Sequence, residues 1–296
     1  MKFKSNVKVT QEAPVNFEDL MQDMDNVLNM ELEEAVEHLE DLTILEQNIS
    51  KYGVTEPVMH LVGGTLESWS IDISNKEACL EGIGDKLKEA GKKVWEMIIK
   101  IYKKIRDYIK GMMAKFNKEK FNELKDKFKG QKVETVKLDA TDLIPAKYVK
   151  LIHEFASEVE IDVGHDAELW ARVYPELFTI GDGGAIEVNE KFDTAARDAR
   201  FSTKGYSDLS KMFEINAGFM DCMRKIDKAA EFCESEASKH LKAIASGNGR
   251  PIDDRMQKGY LATGKVISKL SPYCFRSAAA AAIIGRRADE IGIKQQ

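Results

Sequence analysis

The chain has 296 residues, of which 43% are hydrophobic and 32% charged, and its formal net charge at pH 7 is −6. This composition is typical of a globular protein and excludes wholesale disorder. The negative balance argues against a protein that coats nucleic acid with its entire surface. The four cysteines form no C-x-x-C pair and match no zinc-binding spacing, so no metal or other cofactor is expected.

Residues 17–50 predict a long acidic helix, unbroken or broken once. Apolar residues recur every three or four positions, which is the spacing of one helical face. Residues 1–50 contain twelve Asp and Glu against three Lys, a net charge of −9. Gly53 is expected to end this helix, and a short helix that starts near Thr55 is expected to stop at Gly63 and Gly64.

Residues 80–116 predict a long cationic amphipathic helix. Its apolar residues step almost strictly by four and three, a pattern that favours packing against another helix. Between Asp85 and Lys129 there are fifteen Lys and Arg against seven Asp and Glu, a net charge of +8. The apolar stripe consists of Ile83, Leu87, Ala90, Val94, Ile98, Ile101, Ile105, Tyr108 and Met112.

The remainder of the chain predicts further helices with at most a small hairpin. A short strand is weakly indicated at residues 131–144, and residues 179–188 predict a hairpin or a plain loop. A helix is expected from about residue 145 to 159, and Asp166 is expected to cap a short one. An apolar stripe marks a long helix up to Ile244, and two more helices are expected at 253–270 and 273–291, separated by Pro272. The fold class is therefore mainly α, with an elongated N-terminal half and a more compact domain after it.

No motif in the sequence indicates a catalytic centre. The glycine-rich residues 181–184 lack the Gly-Lys-Ser/Thr ending of a phosphate-binding loop. His153, His165, Glu154 and Glu168 do not have the spacing of a His-Glu-x-x-His metal site. The chain is therefore predicted not to be an enzyme, and an unrecognised active site within residues 145–291 is the weakest alternative.

The cationic helix carries the sharpest functional hypothesis. Lysines on a helix can contact DNA phosphates or anionic lipid, and aromatic residues favour a lipid boundary. The plainer interpretation is a bundle helix with solvated lysines. If the acidic helix packs antiparallel to the cationic helix, it would mask this charge. The candidate DNA or membrane contacts are Lys88, Lys92, Lys93, Trp95, Lys100, Lys103, Lys104, Arg106 and Lys110.

Several short segments carry a family resemblance. They are KYGVT (51–55), MHL (59–61), TLES (65–68), CLEGI (79–83), KKVW (92–95) and IRDYIK (105–110). Their order, between an acidic helical leader and a Lys-rich helix, resembles the internal head proteins of large tailed bacteriophages. The resemblance covers roughly residues 17–116 and leaves residues 131–296 without an assigned role.

The resemblance implies a structural protein of the capsid interior, made in the host cytoplasm, packaged with the genome and open to ejection with it. Its partners would be other virion proteins, with genomic DNA or an anionic membrane as further partners of the cationic helix. The main alternative is a membrane-active or pore-forming helical protein. The expected division is an acidic, removable leader at 1–50, cationic helices at 51–130, and a compact domain at 131–296. Proteolytic processing is expected after Glu46, Glu67 or Glu81.

Overall fold

The computed structural model describes residues 17–68, 76–114, 123, 126–127, 129, 146–197 and 209–290. In these residues the fold is mainly α, as the sequence predicts. The described helices are α1 (Phe17–Tyr52), α2 (Glu56–Ser68), α3 (Lys76–Met113), α4 (Ala146–Ile161), α5 (Ala167–Val173), α6 (Glu190–Arg197), α7 (Leu209–Ala245) and α8 (Asp254–Glu290). The described strands are β1 (Phe178–Ile180) and β2 (Ile186–Val188), which pair as an antiparallel hairpin.

Helices α1 and α8 pack against each other in opposite directions. The Thr43 hydroxyl of α1 donates a hydrogen bond to the Asp254 carboxylate at the start of α8, with an O–O distance of 3.1 Å. Eleven residues further along α8, the Lys265 ammonium lies 3.6 Å from the carboxylate of Glu33, which is earlier in α1. The apolar stripe of α1 faces the core, and Leu32, Leu39, Leu42 and Leu45 are all buried among its members.

Helix α3 runs in the same direction as α8. The buried Tyr102 hydroxyl donates to the carbonyl oxygen of Tyr260 at 2.6 Å. Further along both helices, the ring of Tyr108 meets that of Phe275 edge-on, with centroids 5.8 Å apart. Since α1 is antiparallel to α8, it is also antiparallel to α3, with which it is in contact. The predicted stripe of α3 is buried from Ala90 onward, as a bundle helix requires.

Helix α8 is enclosed by the rest of the fold. Every residue from 256 to 275 is buried or half-buried, so its hydroxyl groups need partners inside the protein. Thr263 donates to the carbonyl oxygen of Val163 at 2.7 Å and accepts from the indole nitrogen of Trp170 at 3.3 Å. Ser268 donates to the carbonyl oxygen of Lys265 in its own helix, at 2.9 Å.

The sequence-based expectation of two helices separated by Pro272 is wrong. Helix α8 continues through Pro272 to Glu290. A proline inside a helix removes one backbone hydrogen bond and usually kinks or ends the helix. Here the preceding residue, Ser271, is buried and donates from its hydroxyl to the carbonyl oxygen of Ile267 at 2.7 Å. Packing on all sides of this segment outweighs the local cost of the proline.

The elements between α3 and α7 cover the side of α8 that α1 and α3 leave open. Their centre is the buried Phe155 of α4, whose ring lies 5.4 to 5.6 Å from the rings of Trp170, Tyr174 and Phe178. Asp166 caps α5 as predicted, since its side chain accepts from the Leu169 amide at 2.8 Å. Of the two alternatives for residues 179–188, a hairpin or a plain loop, the hairpin is present.

The expected end of α2 at Gly63 and Gly64 is wrong as well. The helix runs through both glycines to Ser68. A glycine inside a helix costs about 1 kcal/mol relative to alanine. Val58 and Val62 are buried in the common core, and α2 packs on α1, so tertiary burial offsets that cost.

The buried leucines of α1 belong to the same core as α3, α7 and α8. Of the two alternatives for α1, the unbroken helix is the one observed, continuous from Phe17 to Tyr52. The weakly predicted strand at residues 131–144 lies outside the described residues. None of the described helices combines the length and apolar character that a membrane span needs.

Helix α3 makes a backbone-to-backbone contact at Gly91. A Cβ atom added there would lie 2.6 Å from the carbonyl oxygen of Pro251, in the turn between α7 and α8. Gly84, in the same helix, has no non-local atom within 4 Å of an added Cβ. The two glycines therefore differ in packing while sharing a helical backbone.

We expect Gly91→Ala to lower the free energy of unfolding by about 1 to 3 kcal/mol, because the backbone of the turn would have to move. Gly84→Ala, the matched control, should raise it by up to about 1 kcal/mol through helix propensity. Urea unfolding monitored by circular dichroism measures both values. Equal effects of the two substitutions would show that the contact with Pro251 does not form.

Candidate functional site

The most exposed line of α3 has mixed charge, although the sequence predicts a face covered by lysines. In the first half of the helix the exposed charged side chains are acidic: Asp85, Glu89 and Glu96. In the second half they are mainly basic: Lys100, Lys103 and Lys110, with Asp107 among them. The observed face differs from the predicted one because the apolar face of α3 is wider than one stripe. Lys88, Lys92 and Lys93 therefore lie at the edges of that apolar face, where they are half-buried.

Arg106 is held by α7 through three carboxylates. Its guanidinium donates to Glu231 and Glu234, each with an N–O distance of 2.8 Å, and its Nε lies 3.6 Å from Asp227. Partial burial acts to lower the pKa of Arg106, but the hydrogen bond to Glu234 and the charges of Glu231 and Asp227 outweigh it, so the pKa is raised. The positive charge of this candidate contact is therefore compensated within the protein.

Lys100 and Lys104 share one carboxylate of α1. The Nζ atoms of Lys104 and Lys100 lie 2.5 Å and 3.1 Å from the same oxygen of Glu31. Burial acts to raise the pKa of Glu31, but the hydrogen bonds from Lys104 and Lys100 outweigh it, so the pKa is lowered. The acidic helix thus neutralises part of the cationic helix through Glu31, while Glu34, Glu37 and Glu40 face outward.

Trp95 lies in the core and not at the surface. Its side chain is fully buried, and its ring stacks on that of His240 in α7, with centroids 4.9 Å apart and planes inclined by 17°. Arg106 meets Asp227 on the same pair of helices, so α3 and α7 run in opposite directions. A contact of Trp95 with DNA or lipid stays a prediction, and it requires α3 to leave the bundle.

Four of the candidate residues have charges that remain available. Lys103 and Lys110 are exposed, and Lys88 and Lys92 are half-buried. None of the four forms an ion pair with a carboxylate in the described part of the chain. They differ in this respect from Lys100, Lys104 and Arg106. The available positive charge of α3 is therefore smaller than the count of its basic residues.

The three expected processing positions lie within helices. Glu46 is an exposed residue of α1, Glu67 is in the last turn of α2, and Glu81 is in the first part of α3. Proteolysis of a folded protein usually acts on a locally opened chain. Cleavage at these positions stays a prediction, and it requires each helix to open locally.

The other groups that the sequence raised as candidates have local roles. Residues 181–184 form the turn between β1 and β2, and an added Cβ at Gly181 would lie 2.4 Å from the Glu187 carboxylate. His165 lies between Glu158 and Asp162, at 3.5 Å and 3.4 Å. His153 packs on Phe219, with centroids 5.7 Å apart. Among the described residues, no group of three or more His, Cys, Asp or Glu side chains is arranged to hold a metal ion.

Sequence reasoning did not identify the carboxylates of α7 that bind Arg106. Their signal was present, because Asp227, Glu231 and Glu234 follow one another by four and three positions, beside the predicted apolar stripe. What the sequence did not show is which basic residue of a distant helix they would face.

Comparison with known families gives one match. The model of the phiKZ-like phage internal head proteins matches residues 12–159. No curated protein and no solved structure matches the chain. The matched residues include α1, α2, α3 and nearly all of α4, which contain the segments on which the resemblance rests. Proteins of this family are located inside the phage capsid and are made in the host cytoplasm. The chain belongs to the phiKZ-like phage internal head proteins.

Proposed function

We propose that this chain is a non-enzymatic structural protein of the capsid interior that contacts the packaged genome through the available lysines of α3. The observation that carries the proposal is the position of Lys88, Lys92, Lys103 and Lys110, whose charges are unpaired within the described residues. Lysines in such positions can neutralise DNA phosphates and release the counterions bound to them. Other virion proteins are the further partners.

Burial of the apolar stripe favours DNA over lipid as the partner of α3. A helix that lies in a membrane interface buries its apolar face in the acyl chains. In this fold Val94, Ile98 and Ile101 are buried in the protein core. The membrane-active alternative would require α3 to separate from α1, α7 and α8, whereas contact through lysines requires no rearrangement.

The state of the buried thiols supports a role without catalysis. Burial raises the pKa of Cys222 and of Cys233 to about 12 in each case, and it also raises the pKa of Cys274 well above its ordinary value. Since the thiolate is the reactive form of cysteine, these three thiols are poor nucleophiles at neutral pH. An enzyme within residues 145–291 remains the weakest alternative.

Ejection with the genome, processing of the leader and the three-part division of the chain are further parts of the proposal. The packing of α1 constrains the processing of the leader. Leu32, Leu39 and Leu42 are buried in the common core, so removal of residues 1–50 would expose apolar surface of α3 and α8. If the leader is removed in the virion, we expect the remaining chain to bind another protein over that surface.

The first test compares binding of the full-length protein to duplex DNA and to vesicles of anionic phospholipid, each across a salt series. We expect DNA binding that weakens as salt rises, with a slope of log K on log salt of about −0.9 for each phosphate contacted. We expect no leakage of dye from the vesicles. Leakage without DNA binding would replace the proposal with the membrane-active alternative.

A second test concerns the neutralisation of Lys100 and Lys104 by Glu31. We expect Glu31→Gln to raise the affinity for duplex DNA at low salt and to steepen the salt dependence, because two lysines lose their carboxylate partner. The matched control is Glu37→Gln, which removes the same charge from an exposed position of α1.

Fluorescence anisotropy with a labelled duplex measures both variants, and their thermal melting midpoints verify that the fold is intact. An equal gain in both variants would indicate a general effect of net charge and would contradict the specific role of Glu31.

A further inference from the structure

The turn between α7 and α8 is held rigidly at both ends. At the end of α7, the Asn248 amide donates to the carbonyl oxygen of Ala243 at 2.9 Å, and the Gly247 amide donates to that of Ile244 at 3.1 Å. Gly247 has a φ of 81°, so these bonds form a Schellman motif with glycine at its left-handed position. The start of the turn is therefore hydrogen-bonded to the last turn of α7.

The start of α8 is capped on the other side of this turn. Asp253 accepts from the Met256 amide at 3.2 Å, and its own amide donates to the Gln257 side chain at 2.9 Å. Asp254 accepts from Thr43 at 3.1 Å and lies 3.0 Å from the ammonium of Lys258. Both carboxylates at this end of α8 are thus engaged in local contacts.

The contact with Gly91 places this turn beside two of the available lysines. The carbonyl oxygen of Pro251 approaches the position of an added Gly91 Cβ to 2.6 Å. Arg250 precedes Pro251 in the chain, and Lys88 and Lys92 flank Gly91 within one helical turn. The three cationic residues therefore belong to one corner of the bundle, although they come from elements about 160 residues apart in sequence.

The charges of this corner are available for an anion. Arg250 is exposed, and like Lys88 and Lys92 it forms no ion pair within the described residues. The exposed carboxylates of Asp85, Glu89 and Glu96 are on the outward line of α3, and by helical position Lys88 and Lys92 lie between that line and the packed Gly91. An arginine presents a planar fork of donors that binds two oxygens of one phosphate, whereas a lysine acts as a point charge.

We propose that Arg250, Lys88 and Lys92 form a phosphate-binding corner that receives the backbone of duplex nucleic acid. This inference rests on the proposed function and extends it, because it adds a residue of the compact domain to the contact made by α3. Its ligand chemistry is a phosphate oxygen, which free inorganic phosphate shares with the nucleic acid backbone. Through Arg250, residues 209–290 would then contribute to binding of the genome.

The experiment measures duplex binding by the full-length protein across a salt series for wild type, Arg250→Gln, the double variant Lys88→Gln/Lys92→Gln, and the triple variant. The control is Arg255→Gln. Arg255 is an exposed arginine in the first turn of α8. Tyr260 of α8 packs against Trp95 of α3, and Arg255 lies about 140° around the helix from Tyr260, on a face directed away from α3.

We expect the slope of log K on log salt to fall in magnitude by about 0.9 for each phosphate that a variant no longer neutralises. Arg250→Gln should thus neutralise about one phosphate fewer than wild type, and the triple variant about three fewer. The salt slope of Arg255→Gln should equal that of wild type. All variants should retain the wild-type melting midpoint, because the substituted residues are not in the core.

The outcomes separate the two proposals. If wild type binds no duplex even at low salt, the proposed function is wrong. If wild type binds and Arg250→Gln retains the wild-type slope, or if Arg255→Gln reduces the slope as much as Arg250→Gln does, the corner is wrong and the proposed function stands. Calorimetric titration with inorganic phosphate forms the second arm. If Arg250→Gln abolishes phosphate binding and leaves duplex binding unchanged, the corner belongs to free phosphate and its role with nucleic acid is overturned.

Discussion

The enclosure of α8 is the constraint on which the other parts of this structure depend. A helix that is surrounded on all sides requires neighbours on each of its faces, and α1, α3, α7 and the elements between α3 and α7 provide them. It also requires small residues where atoms of neighbouring elements approach its backbone. An added Cβ at Gly259 would lie 2.7 Å from the carbonyl oxygen of Gly164, and one at Gly264 would lie 3.3 Å from Leu32. The hydroxyl groups of Thr263, Ser268 and Ser271 in α8 are satisfied within the protein, which offsets the cost of burying them.

This arrangement determines which charges of α3 face the solvent. Because α3 packs on α8 with a wide apolar face, its basic residues fall into separate sets. Arg106 faces α7 and is bound there by three carboxylates, whereas Lys100 and Lys104 share Glu31 of α1. Among the residues that the structure describes, the lysines without an ion pair lie at two places along the helix, at Lys88 and Lys92 and at Lys103 and Lys110. A surface of this kind suits contact with a phosphate backbone, whereas a continuous apolar face would suit lipid.

The same packing makes the N-terminal helix part of the fold. The acidic residues of α1 give it the composition of a separate leader, yet its leucines complete the core formed by α3 and α8. Its outward carboxylates Glu34, Glu37 and Glu40 place negative charge on the exposed side of α1. Membership in the internal head family gives this electrostatic pattern its setting, the interior of the phage capsid.

The sequence by itself determined the fold class, the positions of α1, α3 and α7, and the cap at Asp166, because each follows from local periodicity or from a local hydrogen bond. It limited residues 179–188 to a hairpin or a plain loop. It also carried the family resemblance, which lies in short segments of α1 to α3. Only the tertiary structure decided that α8 continues through Pro272 and α2 through its glycines, since burial from neighbouring elements offsets those local costs. Only the tertiary structure decided which cations are available, because the partners of Arg106 are more than 100 residues away in sequence. The sequence shows which residues are basic, but the fold decides which of them are paired with a carboxylate.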